Sequence, residues 1–239
     1  MKRNKLLRLV LMAVMIALGV VISPILRFEG MCPMAHFINI VCAVFLGPWE
    51  SLLCALLIGI IRMIFLAIPP IALTGAIFGA FLSGVFYKFS KGKLVFAVLG
   101  EIIGTGIIGA IASYPVMTFF WGKEGLSWLF YVPSFICGTL IGGSIAFLFL
   151  KKLSHSGLLF KFQTSLGSES YNDKGGILSD SLTISALGVI LFIVIKVLSG
   201  IFNVESIFTE GAAYLSLSGF IIAGVIYYFT KKKKGRNNA

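Results

Sequence analysis

The chain has 239 residues, 58% of them hydrophobic, and a mean hydropathy of +1.01. A soluble domain is about half apolar, so this composition excludes a water-soluble globule and makes the bilayer the solvent, where helices satisfy every backbone group internally. The net charge of +11 does not indicate nucleic acid, because the basic residues sit at the ends of apolar runs, where they set topology.

Taken in chain order, residues 1–8 are basic and lead into an apolar run that resembles a signal peptide. The run continues to Leu26 and ends at Pro24 and Arg27 with no small-x-small cleavage site, so it reads as a retained first helix. A span needs about 20 apolar residues. The candidates are Leu6–Leu26, Ser51–Ile68, Ile71–Tyr87, Leu94–Phe120, Tyr131–Leu150, Leu182–Phe202 and Ala212–Phe229. Met34–Leu46 is apolar but short, opened by Pro33 and closed by Gly47-Pro48. It predicts a shortened helix whose outer end stops below the surface, and the depression above it is a natural ligand site. Residues 154–180 are rich in Ser and Gly and predict a mobile polar linker.

Charge tests the topology. With the N-terminus inside and the short helix counted as a span, sixteen of the twenty Lys and Arg residues fall on the inner side, among them Lys88, Lys91, Lys93, Lys151, Lys152, Lys161, Lys174 and the C-terminal cluster. Only Arg27 and Lys123 fall outside, while Arg62 and Lys196 lie within spans. Omitting the short helix inverts every later loop and destroys this asymmetry. The expectation is an all-α membrane protein with both termini cytoplasmic. Its parts are a six-helix bundle over residues 1–152, a cytoplasmic linker over 153–181, and a two-helix extension with a basic tail over 182–239. That tail suits anionic lipid headgroups.

Little in the chain points to catalysis. There is no phosphate loop of the G-x-x-x-x-G-K-[ST] type and no H-E-x-x-H. Ser144 follows two glycines without a partner base. Cys32, Cys42, Cys54 and Cys137 form no CxxC pair and read as packing residues, so neither a metal nor a cofactor is expected. Small residues four apart recur, as in Gly75/Gly79, Gly100/Gly104, Gly138/Gly142 and Ala13/Ala17. Such pairs let helices approach closely in lipid. Internal packing accounts for most of them, and the Ala13/Ala17 pair on the terminal helix also suits a docking partner.

Charges inside a span face the bundle interior or a cavity. Arg62 reads equally as a ligand contact or a structural tether, and Glu101 reads as a tether. A direct pair between them requires the helices to tilt or slide. Near the outer surface, His36 and Asn39 share one helix face, with Tyr114, Trp121, Trp128 and Tyr131 close in depth. Imidazole, amide and aromatic surface together suit a small neutral heteroaromatic ligand. The plainer reading gives His36 and Asn39 to backbone carbonyls, and the aromatics to an interfacial belt.

The stretches Pro33-Met-Ala-His36-Phe-Ile-Asn39, Leu46-Gly47-Pro48-Trp49, Thr74–Ala80 and Gly100–Ala110, with Tyr114-Pro115, resemble the ThiW family across residues 5–152. The resemblance implies the substrate-binding S component of an energy-coupling factor (ECF) transporter, a six-helix fold with a short second helix and an outward-opening pocket. It also implies uptake of hydroxyethylthiazole, a thiamine precursor. His36, Asn39, Arg62 and Tyr114 then line the pocket, and Ala13 and Ala17 meet the coupling subunit. ATP hydrolysis falls to separate ATPase subunits. Residues 153–239 have no counterpart in such chains. The alternatives are an S component for another vitamin, and an ATP-independent carrier.

Overall fold

The computed structural model describes residues 2–24, 32–171, 176–201 and 206–237. The predicted Arg27, Asn172, Asp173 and Lys174, and the predicted span ends at Leu26 and Phe202, lie outside these. The described residues are helical throughout apart from turns and connections, and seven helices are long and apolar enough to cross a membrane. The chain divides into two compact units, Met1–Asp173 and Lys174–Ala239.

The first unit holds α1 (Lys2–Ile22), α2 (Pro33–Leu46), α3 (Pro48–Leu66) and α4 (Ile71–Phe89). It continues with the helical rod α5 (Leu94–Phe120), then α6 (Val132–His155) and the short α7 (Leu158–Leu166). Pro33, Pro48 and Pro133 each stand in the first turn of a helix, where a missing N–H costs nothing. That is why α3 begins at Pro48, a turn earlier than its apolar run. It ends where Ala67 turns left-handed (φ 50°) ahead of Pro69-Pro70.

The shortest of the helices α1–α6 is the most enclosed. Every residue of α2 from Ile38 to Leu46 is buried, with α1, α3, α4, α5, α6 and α7 packed around it. A helix without lipid contact has no need to match the bilayer thickness, which is why 14 residues suffice. Its N-terminus stops low. A Cβ added at Gly142 would stand 2.1 Å from the Pro33 carbonyl oxygen, which sets Pro33 level with a residue ten places into α6, about 15 Å below the start of that helix. The recess expected from the sequence is there.

Glycine sets the α4–α5 contact. A Cβ at Gly100 would lie 2.4 Å from the Leu82 oxygen, and one at Gly104 would lie 2.5 Å from the Phe78 oxygen, so the two backbones touch. Inside α5, Ile102–Gly109 and Val116–Phe120 are wound as π-helix, a rare widening of the helical turn.

The stretch after α6 departs from the linker expectation. α6 runs on to His155, and Leu158–Leu166 is a helix whose Leu159, Gln163 and Leu166 are buried. Gln163 donates to the Val44 carbonyl (2.8 Å) and to Tyr87 Oη (3.1 Å), while Phe162 meets Phe45 edge-on. Tyr171 then packs on Tyr87. The Ser and Gly content of 154–180 is real, but apolar residues at helical spacing outweigh it over these nine positions.

The second unit is a pair of helices, α8 (Ile177–Ile201) and α9 (Ile207–Asn237). They approach closely at Gly188, set against Phe220, and at Gly224, whose carbonyl accepts from Ser181 (2.7 Å). Lys196, predicted within a span, pairs with Glu210.

Candidate ligand-binding site

Around α2 the polar residues converge on one carboxylate. Glu101 is fully buried. Its Oε1 meets His36 Nδ1 at 2.9 Å and accepts from Asn39 Nδ2 at 3.1 Å and Thr105 Oγ1 at 2.9 Å. The spacing explains the meeting. His36 and Asn39 stand three apart on one face of α2, and Glu101 and Thr105 stand four apart on one face of α5. Gly79 on α4 leaves the room, since a Cβ there would be 1.9 Å from Thr105 Oγ1 and 2.5 Å from Glu101 Oε2. Asn39 also donates to the Ala76 carbonyl (3.3 Å), which ties α4 into the network.

Asn39 and Thr105 donate to Oε1, and in the tautomer that carries its proton on Nδ1 His36 does the same, which leaves Nε2 as the free polar position of its ring. Oε2 of Glu101 has no partner.

Above this network lies a cavity of about 80 Å³, bounded by the first turns of α2, α4 and α6 and by the end of α3. His36 and Thr105 form its floor, Phe135 and Ser134 one wall, and Arg62 another. At about 30 Å³ per water it holds two or three waters. Ligand sites run to roughly 300–1,000 Å³, so a thiazole enters only as the walls part.

Arg62 is 4% exposed. Its Nη2 reaches only the Cys32 thiol, at 3.8 Å, and its Nε has no partner. The sequence allowed an Arg62–Glu101 pair if the helices slid. Among the described residues no carboxylate pairs with Arg62, and Glu101 turns to His36 instead.

Of the four pocket residues expected from sequence, His36 and Arg62 line the cavity. Asn39 lies below it and acts on the cavity through Glu101. Tyr114 is elsewhere: it stacks on Trp128 with ring centroids 4.5 Å apart and takes no part in the lining. Trp121 and Trp128 are exposed, as an interfacial belt requires. Thr105 and Phe135 went unnoticed in the sequence, and Cys32 was read there as a packing residue. Only the Glu101/Thr105 spacing carried a signal for any of them.

Ala13 and Ala17 are both exposed on α1, in line with Leu6, Val10 and Val21, which are exposed too. The opposite face holds Gly19, where a Cβ would fall 2.4 Å from Ile58 Cδ1. One side of α1 is therefore packed against the bundle and the alanine side is open within this unit.

A family model described as thiamine-precursor transporter protein (ThiW) matches residues 9–156. That span holds the last two-thirds of α1 and the whole of α2–α6, and it stops short of α7. Searches among curated proteins and among solved structures return no match.

Proposed function

We propose, from the premise that this chain belongs to the ThiW family of thiamine-precursor transporters, that it is the substrate-binding S component of an ECF transporter and imports hydroxyethylthiazole. The family match carries this reading. The positive-inside rule orients it: the end bearing Lys88, Lys91, Lys93, Lys151 and Lys152 faces the cytoplasm, and the cavity opens outward. The core is then six helices with a short second helix, followed by two further spans, with both termini inside.

In this reading the ligand ring lies against Phe135, and His36 Nε2 and Arg62 supply its polar contacts. Glu101 positions His36, and Asn39 and Thr105 position Glu101. Tyr114 with Trp128 belongs to the aromatic rim. Ala13 and Ala17 form the face that meets the coupling subunit, and partner ATPases supply the energy. Residues 182–239 anchor the chain and reach the inner lipid surface with the basic tail.

Calorimetric titration of the purified protein with hydroxyethylthiazole is expected to give saturable heat. Absence of heat at millimolar ligand would sink the substrate assignment. Copurification of a coupling subunit and ATPases with the tagged chain is the test of class. Uptake by proteoliposomes holding this chain alone would replace the S-component reading with an autonomous carrier. Exchanging Ala13 and Ala17 for tryptophan should abolish uptake and spare binding. Lost binding would mean that these alanines pack the core.

A further inference from the structure

We propose that the cavity at the outer end of the bundle also holds an oxyanion beside Arg62, so that it takes a thiazole precursor carrying a carboxylate or phosphate group in addition to hydroxyethylthiazole. The proposal rests on reading this cavity as the thiazole site and specifies the charge of what fills it.

Arg62 carries the argument. A guanidinium holds its charge at any physiological pH and offers five donors. Burying it without a counter-charge is costly, and buried cations are paired as a rule. Arg62 is almost wholly buried, lines the cavity, and leaves Nε without a partner and Nη2 on a thiol at 3.8 Å. The pair of N–H groups on one edge of a guanidinium fits two oxygens of a carboxylate or phosphate.

Helix direction gives an independent reason. Cys32 and Ala35 at the start of α2, Ile71 at the start of α4, and Ser134 at the start of α6 all border the cavity. The starts of α2 and α4 thus bring positive ends to this space, against the single C-terminus of α3, while the start of α6 stands higher. Cys32 caps α2 without any side-chain hydrogen bond to the first turn, and the caps of α4 and α6 provide none either.

Among the described residues the nearby carboxyl group, Glu101, does not pair with Arg62. Its Oε1 has three polar partners, and His36 stands between it and the cavity. Ile68, Ile71 and Phe135 give the cavity an apolar side, apart from His36, Thr105 and Ser134, and low polarity there strengthens any charge–charge contact made inside. An oxyanion beside Arg62 would supply the oxygen acceptor that no described residue provides, and the ring would rest on the apolar side.

The test is competitive calorimetry on the purified full chain with three probes: hydroxyethylthiazole, its phosphate monoester, and the corresponding methylthiazole carboxylate. At least one oxyanion probe should bind tighter than the alcohol by roughly tenfold or more, as a charge-assisted hydrogen bond provides. The ranking of the two names the oxyanion. Arg62→Gln should remove the preference, whereas Arg62→Lys should keep part of it. If Arg62→Gln does not fold, the wild-type ranking stands by itself, together with competition by inorganic phosphate against the alcohol. Equal or tighter binding of the alcohol in the wild type, or a preference that survives Arg62→Gln, overturns the oxyanion site alone. Failure of all three probes to bind overturns the thiazole reading and this inference with it.

Discussion

The two ends of the first unit treat buried polarity in opposite ways. At the basic end, Arg8 bonds the Leu46 carbonyl at 2.7 Å and pairs with Glu50, so the cation that meets the C-terminus of α2 and the start of α3 is matched. Gln163 of α7 reaches across the same end and joins Val44 to Tyr87. At the other end, Arg62 has no such match, and the helix starts around it surround a cavity. Selection for stability alone would have paired or removed a charge like Arg62. The contrast is one of charge: the basic end leaves Gln163 Oε1 and Ser168 Oγ without partners and holds a cavity of about 420 Å³, yet Arg8 and Lys88 there are paired with carboxylates, whereas Arg62 pairs with none among the described residues.

Glu101 is the hinge of that comparison, and the largest effect belongs to it. Glu101→Leu strips the acceptor from His36, Asn39 and Thr105 at once. Breaking one partner of a buried ionic network costs about 3–5 kcal/mol, so thermal unfolding in detergent should fall well below wild type. An unchanged midpoint would mean that the network is not formed.

Next comes Gly142→Ala. Its new Cβ would meet the Pro33 carbonyl oxygen at 2.1 Å, a backbone atom that cannot swing aside. Overpacking of this kind costs about 1–3 kcal/mol, and it also lifts the start of α2 into the cavity. Ligand affinity should drop together with stability. If stability falls and affinity holds, the floor of the cavity is not set by α2.

Gln163→Leu probes the closed end. It leaves the Val44 carbonyl without its side-chain donor and takes a partner from Tyr87, at about 1–2 kcal/mol. Ligand binding should be untouched, because the change lies at the far end of α2. A loss of binding would join the two ends and break the contrast drawn above.

The smallest effect concerns the strap after α7. Lys88 bonds Glu169 (2.5 Å), with Tyr171 on the other carboxylate oxygen, and both hold the Glu169 carboxyl below its ordinary range. Partial burial, and then this bond, push the Tyr171 phenol up to about 12. A depressed carboxyl contributes stability above its unfolded value of about 4.3 and loses it as pH falls through the folded value. The pair is exposed and screened, so Glu169→Gln should change stability by no more than about 0.5 kcal/mol at neutral pH, and by less in acid.

What the sequence disclosed divides along physical lines. Spans were legible because hydropathy over some 20 residues is a local sum, and the short α2 was legible because charge bias fixes the parity of crossings. Helix ends were less so: Pro48 and His155 extend α3 and α6 beyond their apolar runs, because prolines start helices and basic residues end them. α7 was missed because the centre of its buried face is Gln163, a polar residue that hides the apolar spacing of Leu159 and Leu166. Glu101 was read as a tether, yet its partners could not be named, since they come from α2, 62 and 65 residues away. Tyr114 was chosen for its depth alone, and the direction in which it stacks depends on Trp128 across a loop. His36 and Arg62 were legible because a charge or an imidazole inside a span has few places to go.

Cys32 offers the most direct test of the central claim, that a thiazole precursor is captured in the cavity at the outer end. Its thiol lines that cavity, Cys42 and Cys54 are buried, and Cys137 can be removed as Cys137→Ser. In intact cells, a membrane-impermeant thiol reagent added from outside should label Cys32, and saturating thiazole ligand should slow that labelling by roughly tenfold or more, as occlusion of a site does at high occupancy. Labelling from the cytoplasmic side only, or a rate that ligand leaves unchanged while calorimetry shows it bound, would contradict the account.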